Sequence, residues 1–185
     1  EEVWPSPAPG RSGLALGAAA RVAPTSEISW SPFAGDALDP CDAARFAHEA
    51  GLTLEEPPNL PSRAADAVAR GGVIGFAQGR MELGPRSLGA RAVLARADDA
   101  TVRVRMHGLL GRPWYLPLET SLLLEEALIL LAGFPGPFAA ASRVMGSAFR
   151  TTGEGMKRLA GGIGPDGRTV PQVLAREGNA SPEEE

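Results

Sequence analysis

Three arginines, one glutamate, three glycines and one proline fall within the thirteen residues Gly79-Arg80-Met81-Glu82-Leu83-Gly84-Pro85-Arg86-Ser87-Leu88-Gly89-Ala90-Arg91. Guanidinium forks hold phosphate or carboxylate oxygens in pairs. Glycine lets a backbone turn at positive φ and bring its N–H groups close to a ligand, and proline stiffens the turn. The stretch follows an apolar run, Val73-Ile74-Gly75-Phe76-Ala77, so it reads as a loop that leaves a buried strand and closes on an anion. A solvated loop whose arginines pair with nearby acids uses the same residues. Charge distribution weighs toward the first reading. From Gly79 to Arg112 seven arginines stand against Glu82, Asp98 and Asp99, a local balance of +4 in a chain whose net charge is −4.

The remaining composition narrows the classes. A chain of 185 residues with 44% apolar content can bury one core, and one soluble domain is expected. A net negative charge argues against general nucleic-acid binding, which needs a basic face across the domain. Cys41 is the single cysteine, which excludes an internal disulfide framework and a cysteine-based zinc site and makes a reduced, cytoplasmic setting the default. The start, Glu1-Glu2-Val3-Trp4-Pro5, has neither an initiator methionine nor a basic n-region and reads as part of something longer. The greasy stretch from Leu116 to Phe134 is broken by Glu119, Glu125 and Glu126 and falls short of a membrane span. His48 is expected to pack or be exposed, and with His107 the only other histidine a metal site lacks support. Cys41 reads as a bystander thiol. Trp114 and Tyr115 are expected in the core or on a cleft wall, and Trp4 and Trp30 over the join to the preceding segment.

Those chemical residues need elements to hold them. Gly13 to Val22 reads as a short helix of small residues. Asp39-Pro40 is an N-cap followed by a proline at the first helical position, with Gly51 as the stop. Pro61 to about Arg70 is a second such helix, closed by Gly71-Gly72. Val73 to Gln78 reads as a buried strand feeding the arginine loop, and Arg91 to Arg96 as another. Asp98-Asp99 caps a helix through about Leu110. Trp114 to Leu118 is expected as a strand and Ser121 to Leu131 as a helix with Glu125 and Glu126 outward. From Gly133 the rhythm is lost; six glycines lie between Gly153 and Gly167, and the acidic tail Ser181 to Glu185 is expected to fray. Short strands alternating with helices predict an α/β fold with a mixed sheet and flanking helices.

Gly79 to Ala92, GRMELGPRSLGARA, resembles GRMEFGPRALGNRS, the signature of the carbamoyltransferases that act on antibiotics and nodulation factors, the tobramycin carbamoyltransferase type. Pro7 to Ala19, PAPGRSGLALGAA, is similar to the PAAGDAGLALGAA-like end of that family's sugar-kinase-like domain, and Ser31 to Gly35 resembles its NPYLG linker. The resemblance implies that residues 1–24 are a remnant of the sugar-kinase-like domain. Residues 25–185 would then be a YrdC-like carbamoyltransferase C-terminal domain, a twisted open mixed sheet, incomplete at its C-terminus. Family members use ATP and carbamoyl phosphate to form a carbamoyl-adenylate and pass the carbamoyl group to a hydroxyl held by the sugar-kinase-like domain. By this resemblance Arg80, Arg86 and Arg91 are expected to contact the anion. Glu82 would orient one of them or pair behind them, and Arg105 and Arg112 would line the cleft rim. The family's metal belongs to the upstream domain, and Arg11 stands where an aspartate helps line that site. No membrane or nucleic-acid partner is implied.

Other positions depart from the pattern. Arg105 to Thr120, RMHGLLGRPWYLPLET, is similar to RINxxVKGREWFRPFAP, with His107 for the asparagine, Leu110 for the lysine and Leu116 for the arginine before Pro117. Asp166 to Leu174, DGRTVPQVL, resembles DGTARVQTV, with Val170 for the arginine and Arg168 two residues away. A closing NTSFN-like segment is absent, and Ala90 and Ala92 replace an asparagine and a serine. Losing three charge-assisted contacts would forfeit about 4.5–9 kcal/mol if the losses added, whereas micromolar binding amounts to about 8 kcal/mol. A second function therefore stands beside the enzyme: a catalytically inactive relic serving as an interaction or regulatory module.

Overall fold

Helix signals at both ends of short segments set the first part of the fold. The computed structural model describes Ala8, residues 10–23 and residues 31–175; Trp4, Trp30 and the acidic tail lie outside the described residues. Helix α1 runs Arg11–Val22 and buries none of its residues. In α2, Pro40–Glu49, the Asp39 side chain accepts the N–H of Cys41 and proline occupies the first turn. In α3, Leu60–Ala69, Asn59 caps Ser62 in the same way. Gly51 and Gly71 follow these two helices at φ of 66° and 83°, the left-handed geometry that ends a helix without a Cβ penalty.

Strand β1, Ile74–Ala77, pairs antiparallel with β2, Arg91–Leu94, with Ile74 opposite Leu94 and Ala77 opposite Arg91. The arginine loop is thus the connection of a hairpin. Residues 32–38 run beside that loop. The amide of Gly35 donates to Met81, that of Leu38 to Gly79 and that of Met81 to Asp36, with Ala37 bridging Arg80. The segment that resembled a linker is therefore hydrogen-bonded to the loop along its length. Helix α4, Ala100–Leu110, starts on an Asp99 cap and ends at Gly111 with φ 60°.

Two expectations are corrected beyond α4. Residues 114–116 form a turn and 117–118 run irregularly, so the segment is not a strand, and Trp114 and Tyr115 are exposed, their rings edge-on at 6.0 Å. Pro113 and Pro117 each remove a ladder donor, which keeps the segment out of a sheet. The helix expected from Ser121 is split. Thr120–Leu123 forms β3, and only Leu124–Leu130 forms α5. β-branched Thr120 suits a strand, while Glu125 and Glu126 favour the positive end of a helix starting beside them.

The glycine-rich end supplies the partners. Strand β4 is Phe149–Arg150, α6 is Gly153–Arg158, β5 is Arg168–Thr169 and β6 is Pro171–Leu174. β3 pairs parallel with β6, Thr120 opposite Pro171, and β4 pairs antiparallel with β5. Among the described residues the strands form three two-stranded sheets. The fold is mixed helix and sheet, and the sheet expected as one open layer is divided. Its core gathers Leu122, Ala127, Leu130, Leu131, Phe149, Leu159 and Val173. Phe134 packs edge-on to Phe149 at 5.5 Å. No helix among the described residues is long and apolar enough to cross a membrane.

The close approach of α6 to α5 depends on a missing side chain. A Cβ at Gly155 would sit 2.2 Å from the Leu130 carbonyl oxygen, whereas one at Gly153 would meet nothing within 4 Å. Gly155→Ala is expected to destabilise the protein by about 1–3 kcal/mol through overpacking, and Gly153→Ala to change it far less. Thermal unfolding of the two variants checks this.

Candidate anion-binding site

The arginine loop is closed from inside by its own carboxylate. Oε1 of Glu82 accepts the backbone N–H of Leu88 at 2.8 Å, Ala90 at 2.7 Å and Arg91 at 3.1 Å, and Oε2 also accepts that of Arg91 at 3.1 Å. Partial burial alone would raise the Glu82 pKa, but the backbone N–H groups favour the charged form and hold it below the ordinary value. Backbone amides turned inward in this way form an anion nest; here its occupant is part of the chain.

Arg91 closes the same loop through its acceptors. Its guanidinium donates to the carbonyls of Gln78 and Ala90, both at 2.9 Å, of Gly79 at 3.3 Å and of Asp36 at 3.5 Å. Ser87 Oγ donates to the Arg91 carbonyl at 2.7 Å. Arg80 reaches the adjoining segment, donating to the carbonyls of Phe33 at 3.2 Å and Ala34 at 3.3 Å. The buried Gln172 side chain ties the loop to β6 by donating to the Leu88 carbonyl at 2.9 Å, while its Oε1 accepts from Ser121.

A cavity of about 630 Å³ opens beside the hairpin, a volume that suits a small ligand. Phe76, Val93, Leu94, Met106, Leu110 and Leu118 supply apolar wall, and Ser87, Arg91, Arg112, Glu119 and Ser121 the polar wall. Arg86 joins this group through Glu119. Its Nη1 donates to Glu119 Oε1, and Nη1 of Arg112 donates to Glu119 Oε2 at 3.4 Å. Arg112 Nη2 also donates to the Pro117 carbonyl at 3.3 Å. Two arginines from separate segments thus converge on one carboxylate.

Of the six residues singled out from the sequence, Arg91 and Arg112 line the cavity and Arg86 reaches its edge through Glu119. Arg80, Glu82 and Arg105 do not line it. Arg105 instead donates to the Gly71 carbonyl at 3.0 Å, fastening α4 to the turn after α3. Leu110, where the resemblance would have a lysine, is part of the apolar wall. Glu119 and Ser121 were not singled out as site residues. A lone acid directly after the apolar run Leu116-Pro117-Leu118 was the signal for the first. Among the described residues no cluster of three or more histidine, cysteine or acidic side chains could hold a metal.

His107, on α4, is buried beside this cationic corner. Burial foremost, then the positive charges of Arg103 and Arg112, lower its pKa from the ordinary imidazole value, with a weaker opposing pull from the Arg112 backbone. His48 and Cys41 are exposed on α2.

A family model described as Carbamoyltransferase C-terminus matches residues 65–183. Nodulation protein NolNO of Sinorhizobium fredii is 34% identical over 138 residues, covering 69% of this chain and 20% of that protein. Nodulation protein U of Azorhizobium caulinodans is 35% identical over 130 residues, covering 68% of this chain and 22% of its own length. The 3'-hydroxymethylcephem-O-carbamoyltransferase of Streptomyces clavuligerus is 31% identical over 134 residues, covering 67% and 24%. The chain spans about a fifth to a quarter of the length of these curated relatives.

Two measurements test the loop and its neighbour. Glu82→Ala strips three backbone donors of a charged acceptor, each such bond being worth roughly 1.5–3 kcal/mol, and is expected to cost at least about 3 kcal/mol in chemical denaturation. Glu82→Gln keeps an oxygen and should cost less. Because the Glu82 pKa is lowered on folding, its contribution is complete above the unfolded value of 4.5 and is lost as pH falls through the folded value. For His107 the lowered pKa means no penalty above 6.5 and a growing one as pH falls beneath it. The loss of thermal stability between about pH 7.5 and 5.5, the range in which histidine changes charge, is expected to shrink in His107→Leu.

Proposed function

The chain belongs to the carbamoyltransferase C-terminus family, and on that footing we propose that it is the carbamoyl-activating part of an ATP-dependent O-carbamoyltransferase. In this reading a YrdC-like domain binds carbamoyl phosphate and ATP and forms a carbamoyl-adenylate. A sugar-kinase-like domain, in the same chain or a neighbouring one, holds the acceptor hydroxyl that receives the carbamoyl group and carries any metal the reaction uses. Residues 1–24 are the end of that domain. A cytoplasmic setting suits the exposed Cys41.

The observation that supports this most is the cavity beside the hairpin, where Arg112 and, through Glu119, Arg86 present guanidinium groups within the stretch that matches the family. Phosphoryl oxygens suit such groups. Arg112 and Arg86 act as the anion contacts, and Arg91 borders the ligand while its donors hold the loop. Arg80 and Glu82 act at one remove by fixing the loop, and Arg105 by fixing α4. Leu110 gives the ligand an apolar neighbour instead of a fourth cation.

Magnitudes bound the affinity. Two charge-assisted contacts contribute roughly 3–6 kcal/mol, and a millimolar constant corresponds to about 4 kcal/mol. Carbamoyl phosphate alone is therefore expected to bind at roughly millimolar strength or somewhat tighter. Arg112→Ala and Arg86→Ala should each weaken it at least about tenfold, a change of about 1.4 kcal/mol. Titration calorimetry on the full chain, with carbamoyl phosphate and ATP in turn, reads this directly. Binding heats that survive both substitutions would overturn the proposed site.

A further inference from the structure

Among the described residues Glu119 is the one carboxylate lining a cavity whose other charged walls are Arg91 and Arg112. Its side chain is 18% exposed, against 34% for Arg86 and 31% for Arg112. A carboxylate removed that far from water needs its partners, and here the partners come from two places. Arg86 belongs to the loop between β1 and β2, and Arg112 follows α4. Each gives Glu119 a single nitrogen, Arg112 turning its Nη2 to the Pro117 carbonyl, so neither holds the carboxylate in the two-nitrogen fork that binds such a group best. The carboxylate sits where the oxygens of a small anion would have to go to reach both arginines at once.

We propose that Glu119 is the internal competitor that sets the affinity threshold of this cavity. It is an internal anion that occupies the ligand's oxyanion seat, so an incoming ligand must displace it. The inference rests on the cavity being the ligand site. A monocarboxylate that displaces Glu119 exchanges one single negative charge for another and gains little. A phosphoryl dianion brings twice the charge and enough oxygens to reach both arginines. Displacement costs both ligands the same, so Glu119 lowers the affinity for each, and a phosphoryl ligand, which gains more from the arginines, is the one that still binds. With Glu119 counted, Arg86, Arg91 and Arg112 leave the site a net +2, matched to a dianion.

The test is titration calorimetry on the full chain and on Glu119→Gln, using inorganic phosphate, acetate and carbamoyl phosphate at a pH where phosphate is mainly dianionic. The amide keeps the shape and one acceptor but loses the charge. Phosphate should bind at least about tenfold more tightly to Glu119→Gln, and acetate binding should appear or strengthen. The gain should vanish in the Glu119→Gln/Arg86→Ala double variant. Equal or weaker phosphate binding by folded Glu119→Gln would overturn the inference. Should Glu119→Gln fail to fold, Glu119→Asp withdraws the carboxylate by one methylene and should give an intermediate gain; phosphate affinity equal to that of the unsubstituted chain would again overturn it. The outcomes separate from those for the proposed function. Phosphate gained with no advantage for carbamoyl phosphate supports Glu119 and removes the carbamoyl reading. Carbamoyl phosphate bound equally well with and without the Glu119 charge supports that reading and removes Glu119.

Discussion

The Glu82 carboxylate, gathering the amides of Leu88, Ala90 and Arg91 on one side chain, is the contact on which the rest of the site depends. A loop with three glycines and a proline has no hydrogen-bond ladder of its own to hold it. Backbone N–H groups left unpaired there would cost stability, and a charged acceptor satisfies several at once. Arg91 then does for the loop's carbonyls what Glu82 does for its amides. The two oppositely charged side chains, nine residues apart, close the hairpin from within, and the positions of Ser87 and Arg86 follow from that closure.

The loop is in turn held against two other parts of the chain. Residues 32–38 lie along its outer edge, and Gln172 reaches it from β6. The apolar core lies elsewhere, between β3, β6, α5 and α6, where Leu130 and Leu131 are almost wholly enclosed. This core fixes the strand that follows Glu119, because Thr120 pairs with Pro171 and its hydroxyl shares a hydrogen bond with that of Thr169 at 2.9 Å. The cavity therefore has one wall set by the hairpin and another by the core. Glu119, between Arg86 and Arg112, joins them electrostatically.

Much of the local structure was legible because its signals are short-range. Asp39-Pro40, Asn59 and Asp99 cap the helices they precede, and Gly51, Gly71 and Gly111 end helices with positive φ. Val73 to Gln78 contained the expected strand, although its residues alternate between half-buried and exposed where a buried strand was expected. The run Ser121 to Leu131 was misread because a short apolar segment fits strand and helix equally well, and the choice rests on whether a partner strand lies alongside. That partner, β6, is some fifty residues away in a stretch with little periodicity. Trp114 and Tyr115 were expected in the core or on a cleft wall, yet they are exposed on a turn flanked by Pro113 and Pro117.

By itself the sequence determined which residues are present to bind an anion, how the positive charge is concentrated, which helices start and stop where, and, through the motif, the family. Those properties depend on residue type and near neighbours. Only the tertiary structure decided how each charge is used. Arg80 and Arg91 are spent on backbone carbonyls, Glu82 on backbone amides, and Arg86 and Arg112 on Glu119. The reason is physical: a guanidinium binds whichever acceptor the fold brings within about 3 Å, and acceptors such as Phe33 and Glu119 lie more than thirty residues away along the chain from Arg80 and Arg86.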